Sequence, residues 1–171
     1  MPAAASRIGL DEFGRLAEPV ATALLADCCS SQEWSARLLA GRPYRWLEEL
    51  LAGSDAAIGA LDQRALLEVV QSHPRLGERP AGDTVAAAWS RAEQAGALGS
   101  ARTVEAALRQ ANLDYEQRFD HVFLSCATGK GAAELVAEIG SRIANEPDAE
   151  LEVARTELRK IVRTRLERVF Q

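Results

Sequence analysis

The chain has 171 residues, with 25 acidic against 20 basic side chains and a net charge of −5. That length buries a self-sufficient core as one domain over residues 1–171, and the charge has the wrong sign for a general nucleic-acid or anionic-membrane surface. The opening "MPAAASRIGLDEF" lacks the apolar run of a leader, no stretch reaches membrane-span length, and "RVFQ" is no targeting address. These features point to a cytoplasmic protein with a small-molecule partner, no membrane and no nucleic acid. Three cysteines, two of them adjacent at Cys28 and Cys29, make neither a disulfide framework nor a CxxC metal pattern and fit reduced, buried thiols.

Alanine, leucine, glutamate and arginine dominate and alternating β-branched runs are few, so the fold class is all-α. Helices are predicted in chain order over Asp11–Ala26, Gln32–Ala40, Arg45–Leu61, Gln63–His73, Asp83–Gln94, Arg102–Cys126, Ala132–Ala144 and Pro147–Phe170. Cap signals support several starts: "SSQE" reads as a capping box, Asp62 precedes "QRALLEVV", Ser100 precedes "ARTVEAAL", and Pro147 fits a first helical turn. The clear break lies between Arg75 and Gly82, within "HPRLGERPAG", which has two prolines and two glycines. A compact bundle of about eight helices bordering one functional loop accommodates this pattern.

Three places hold polar residues that the apolar periodicity does not call for. Leu66, Val70 and His73 fall within about 40° of one another on a helical wheel, so His73 continues an inward stripe and Pro74 then fixes the chain exit. A core or C-capping histidine and a catalytic imidazole both satisfy that position. In the last predicted helix the stripe is Leu151, Ala154, Leu158, Ile161, Val162, Leu166 and Val169. Arg165 lies about 20° from its centre, whereas Arg159, Lys160, Arg163 and Arg168 lie well away and read as a solvated face. An inward guanidinium cannot shed its charge, so either a buried carboxylate or a bound anion has to meet it. In "VAAAWSRAEQAGAL", Ser90, Glu93 and Gln94 are mutually close after Trp89. Ser-x-x-Glu is a capping pattern in its own right, but placed near His73 the Glu93 carboxylate would orient and charge the imidazole.

Other motifs fail on spacing. "CATGKGA" has Gly131 after Lys130 where a phosphate-binding loop requires Ser or Thr, and His121 with His73 makes neither His-x-His nor His-Glu-x-x-His, so no metal is expected. His121 reads as a helix-borne surface or packing residue. Tyr115, Phe119 and Phe123 recur every four residues, which is core spacing first and a pocket wall second.

With those residues in view, the chain resembles the OHCU decarboxylase family, which acts on 2-oxo-4-hydroxy-4-carboxy-5-ureidoimidazoline (OHCU) in urate breakdown. The resemblance runs along essentially the whole chain, through "RPYRWLEELL", "LLEVVQSHPRLGE", "SRAEQAGAL", "ALRQANLDYEQRFDHVFLSCATGK" and "RIANEPDAELEVARTELRKIVRTRL". It implies an all-α, homodimeric enzyme without metal or organic cofactor that produces (S)-allantoin and carbon dioxide. By motif match it implies His73 as proton donor, with Glu93 and Arg165 completing the catalytic set. Pro74, Ser90, Gln94 and Phe119 would meet substrate, and Leu124, Ser125, Cys126, Ala127 and Thr128 would offer backbone groups to it. The chain departs from the family at "FDHVF", where Asp120, His121 and Val122 stand in a run that is often Phe-Gly-Phe-Pro-Phe. Two other functions compete: a helical protein- or nucleic-acid-binding regulatory domain using the basic C-terminal helix, and a related acid-base lyase or hydrolase for another ureido compound.

Overall fold

Proline decides the first departure from the predicted helices. Pro19 has no N–H, and its ring collides with the carbonyl four residues back, so a helix through Asp11–Ala26 cannot form. The computed structural model describes residues 7–78, 84–95 and 102–170. It has α1 (Leu10–Arg15) and α2 (Glu18–Cys28) there, with Pro19 in the first turn of α2. Then follow α3 (Gln32–Ala40), α4 (Leu47–Gly59), α5 (Gln63–Gln71), α6 (Val85–Glu93), α7 (Arg102–Phe119), α8 (Ala132–Arg142) and α9 (Pro147–Val169). The fold is all-α: the described residues form nine helices and no strand, beyond one isolated bridge between Ile8 and Phe170.

Caps set several boundaries. Asp62 Oδ1 accepts the Ala65 N–H at 2.8 Å, as the sequence suggested. In "SSQE" the cap is Ser31, whose hydroxyl accepts from Trp34 N at 3.1 Å, while Glu33 pairs with Arg37. The expected capping box is therefore replaced by a simple cap one residue later. Thr84 caps α6 through the Ala87 N–H; the predicted start at Asp83, the proposed Ser100 cap and the loop beyond Glu78 lie outside the described residues.

The described chain groups into two units, Met1–Val69 with Arg159–Gln171 and Val70–Leu158. In the first, Phe13, Leu25, Trp34, Leu50, Leu166 and Phe170 are fully buried, each such side chain contributing about 1.5–3 kcal/mol by leaving water. Phe13 meets Phe170 edge-on at 4.9 Å. The indole N–H of Trp34 donates to Ser54 Oγ at 3.1 Å, which removes the penalty of burying its polar tip. In the second unit α7 packs on α8, and Leu108, Tyr115, Phe119, Phe123, Leu135 and Ile139 belong to one core cluster.

The expected helix over Arg102–Cys126 stops at Phe119 because Asp120 turns to φ +57°, a left-handed conformation that aspartate tolerates better than most side chains. Phe123 therefore lies beyond the helix, yet its ring still meets Tyr115 edge-on at 5.0 Å. His121 is likewise off the helix. It is buried, edge-on to Tyr115 at 5.5 Å, with Nδ1 3.0 Å from the Val122 carbonyl, so its role is packing.

Burial pushes the Cys28 thiol up to about 12 and the Cys29 thiol up to about 11, and both stay protonated near neutrality. Cys126 is only partly covered. A disulfide reagent added to the native protein at neutral pH is expected to label one thiol quickly and all three only after denaturation. Equal rates for all three would contradict the buried placement.

Candidate active site

His73 does not sit in a helical last turn. Helix α5 ends at Gln71, and His73 follows in a tighter turn closed by its own N–H to the Val70 carbonyl at 3.1 Å. The wheel carried the inward stripe two residues too far, because Pro74 disfavours helical geometry in the residue before it. The residue as a whole is half-buried, but the Nε2 end of its ring is shielded from solvent.

The turn after His73 is held from several sides. Arg75 grips Glu116 of α7 through two parallel bonds, Nε to Oε1 at 2.6 Å and Nη2 to Oε2 at 2.7 Å. That carboxylate raises the guanidinium above its ordinary range. The Leu76 carbonyl accepts from Asn112 Nδ2 at 3.0 Å. Gly77 takes φ +83°, and a Cβ there would stand 2.8 Å from Leu108 Cδ2, so the glycine of "HPRLG" answers both a left-handed turn and a close approach. Its N–H donates to Gln94 Oε1 at 2.9 Å. This last bond joins two of the sequence-predicted segments, the His-Pro turn and the end of α6, where Ser90, Glu93 and Gln94 are all buried. Gln94 thus spends its carbonyl oxygen on the turn, leaving its amide N–H groups as the part that could meet substrate.

The segment after Phe123 is braced by groups the sequence reading did not single out. The Leu124 carbonyl accepts from Arg142 at 2.9 Å, and the Cys126 N–H donates to Glu157 Oε2 at 2.9 Å. Ser125 Oγ lies between Lys130 at 2.8 Å and Glu138 at 3.1 Å. Two of the backbone groups expected to meet substrate are therefore already engaged within the unit. Burial alone would raise the Glu138 carboxyl, but hydrogen bonds from Lys130 and Ser125 and the charges of Lys130 and Arg142 outweigh it and hold the group below its usual range.

Behind this segment lies a buried ionic network. Glu150, 0% exposed, accepts on Oε1 from Arg142 Nε at 2.8 Å, Arg142 Nη2 at 2.6 Å and the Tyr115 hydroxyl at 2.5 Å. Its Oε2 accepts from Asn145 at 2.7 Å, and the Arg142 guanidinium lies over the Phe123 ring at 4.4 Å. Burial followed by the hydrogen bond to Glu150 raises the Tyr115 hydroxyl far above the ordinary phenol range.

Arg165 belongs to the first unit and is 5% exposed, as its wheel position required. Its Nη1 donates at 3.4 Å to the carbonyl of Cys28, the last residue of α2, where helix carbonyls are unsatisfied and the dipole favours a cation. The basic face expected beside it is found in part: Lys160 is exposed and Arg159, Arg163 and Arg168 are half-buried, two of them engaged by acidic or carbonyl oxygens. Arg163 bridges Glu48 and Asp55, Arg159 donates to the Asp55 carbonyl, and Arg155 is itself buried. Among the described residues, no group of three or more His, Cys, Asp or Glu side chains could hold a metal ion, and no helix is long and apolar enough to cross a membrane.

A family model described as OHCU decarboxylase matches residues 15–167. The chain belongs to the OHCU decarboxylase family. Among similar relatives, the 2-oxo-4-hydroxy-4-carboxy-5-ureidoimidazoline decarboxylase of Amia calva is 30% identical over 80% of this chain and 79% of its own length. The Mus musculus protein of the same name is 31% identical over 73% of this chain and 71% of its own. The uric acid degradation bifunctional protein TTL of Arabidopsis thaliana is 28% identical over 84% of this chain, which spans only 45% of that longer protein. The family fold extends to solved structures. A crystal structure of OHCU decarboxylase in the presence of (S)-allantoin aligns with a TM-score of 0.70 at 23% identity, covering 82% of this chain and 92% of the other. A crystal structure of (S)-allantoin synthase aligns at 0.73 with 15% identity, covering 94% and 53%.

Proposed function

We propose that this protein decarboxylates OHCU to (S)-allantoin and carbon dioxide in urate breakdown, with His73 as the proton donor. The observation that carries the assignment is the 2.9 Å bond from Gly77 N to Gln94 Oε1, by which the His-Pro-x-Leu-Gly and Ser-x-x-Glu-Gln motifs of one family meet.

The substrate carries a carboxylate and a hydroxyl on one ring carbon, next to a carbon doubly bonded to nitrogen. When the bond to the carboxylate breaks, its electron pair forms a carbon–carbon double bond to that neighbour and the imine nitrogen takes a proton. The resulting enol then receives a proton on the carbon bearing the ureido group as its hydroxyl proton leaves, so one proton is consumed per turnover. The imine serves as the electron sink, and the chemistry requires no thiamine, pyridoxal or metal. His73 delivers the proton to one face, with Glu93 orienting it. Arg165, Ser90 and the amide of Gln94 bind substrate heteroatoms, and Pro74 and Phe119 supply apolar contact. In the segment Leu124–Thr128, Ser125, Ala127 and Thr128 join Leu124 and Cys126 at the substrate's ring and ureido group. The chain works as one domain and a homodimer in the cytoplasm, and has no nucleic-acid or membrane partner.

The decisive assay generates the unstable substrate from urate with the two preceding enzymatic steps and follows optical rotation. Rapid appearance of (S)-allantoin is expected, and only slow racemic product would reject the activity. Arg165→Leu is expected to raise KM or lower kcat in protein that remains folded; a loss of stability alone would assign Arg165 to structure.

A further inference from the structure

Helix α7 meets the chain around His73 as an antiparallel ladder. Gln71 Nε2 donates to the Asp120 carbonyl at 3.2 Å, Arg75 grips Glu116, the Leu76 carbonyl accepts from Asn112, and Gly77 lies against Leu108. As the turn advances from residue 71 to 77, its partners step back from Asp120, just beyond the end of α7, through Glu116 and Asn112 to Leu108. Within α7 that is one rung every four residues on one helix face, over a rise of about 12 Å. His73 and Pro74 fall between the first two rungs. The rungs also differ in chemistry: a charge-assisted fork at Glu116, a neutral hydrogen bond at Asn112 and a steric stop at Leu108. Asn112 is 2% exposed and lies in line with the apolar residues Leu108, Tyr115 and Phe119 of its helix. It gives its amide N–H groups to the carbonyls of Leu76 and Leu108, each at 3.0 Å. Its Oδ1 is buried and receives no hydrogen bond among the described residues. Packing alone would favour leucine there, whereas an amide supplies the donor that the turn carbonyl needs.

We propose that Asn112 and Glu116 are positioning residues for the reaction, fixing the 75–77 turn and through it the direction of the His73 imidazole. This rests on His73 being the proton donor. Neither residue touches substrate; each acts through backbone or through Arg75. Because a misplacement of about 1 Å can cost about 10²-fold in rate, loosening the ladder costs turnover more than binding.

The test measures kcat, KM, product enantiomeric excess and melting temperature for Asn112→Leu, Glu116→Gln and Arg75→Lys, beside His73→Asn. In the positioning variants kcat of the folded protein is expected to fall about 10- to 100-fold, with KM changed by less than about threefold and with reduced enantiomeric excess. The imidazole resonance assigned by its loss in His73→Asn is expected to shift or broaden in the same variants. If kcat, enantiomeric excess and that resonance stay at wild-type values while only the melting temperature falls, the ladder is structural and the proposal is wrong. Should Asn112→Leu fail to fold, the other two variants decide the question, since Arg75 and Glu116 side chains are 42% and 19% exposed. The two ideas fail separately: an active, stereoselective His73→Asn sinks the proton-donor assignment, whereas an inactive His73→Asn beside fully active α7 variants sinks the ladder alone.

Discussion

Replacing His73 with asparagine is expected to reduce kcat by about 10²- to 10⁴-fold, the usual worth of a positioned general acid, while leaving the melting temperature nearly unchanged. Asparagine keeps a donor of similar reach but cannot cycle a proton, so binding survives better than turnover. The turn has backbone support of its own. Its backbone is closed by the His73 N–H to the Val70 carbonyl, and the flanking residues are held by Gln71 and Arg75. Residual product is expected to be racemic, because the enol would take its proton from solvent on either face. Near-normal turnover with unchanged chirality would remove His73 from the mechanism.

The largest effect on stability is expected at Glu150. Changing it to glutamine removes the charge facing Arg142, which is 7% exposed and bonded to Glu150 through both Nε and Nη2. Breaking one side of a buried ion pair costs about 3–5 kcal/mol when the remaining charge is left uncompensated; Glu138 Oε1, 3.3 Å from Arg142 Nη1, keeps part of that compensation and sets the expected cost at the lower end, about 3 kcal/mol. At about 2–4 °C per kcal/mol for a chain of this size, melting should fall by roughly 10 °C. Glu33→Gln is the contrasting case. Glu33 and Arg37 also form an ion pair, at 2.9 Å, but their side chains are 46% and 50% exposed, and the expected change is within about 0.5 kcal/mol. Equal melting shifts in thermal denaturation would overturn the distinction. Because Arg142 also holds the Leu124 carbonyl, Glu150→Gln should loosen the segment proposed to meet substrate and lower activity below the melting transition as well.

Local chemistry explains which parts of this were legible in the sequence. Helix type followed from composition and period, and the burial of Arg165 followed from one angle on a wheel, since both depend only on residues within a few turns. Boundaries were harder. Pro19 was in plain view and should have split Asp11–Ala26, while Asp120 hid a helix end because aspartate carries no obligatory left-handed signal. Partners were the least legible. The buried fork from Arg142 to Glu150 joins two helices, and the grip of Glu116 on Arg75 closes a separation of 41 residues, so neither could be named before the tertiary fold. One signal was available: Asn112 interrupts the stripe of Leu108, Tyr115 and Phe119, and Glu150 and Glu157 lie about 20° apart on α9. The same wheel that found Arg165 would have marked them as polar residues turned inward.

The left-handed backbone at Asp120 limits which residues can stand there. At φ +57° the position favours glycine first and asparagine or aspartate next, so the aspartate of "FDHVF" is a residue type that the angle tolerates. The admissible alphabet is glycine, asparagine and aspartate, and β-branched residues are shut out.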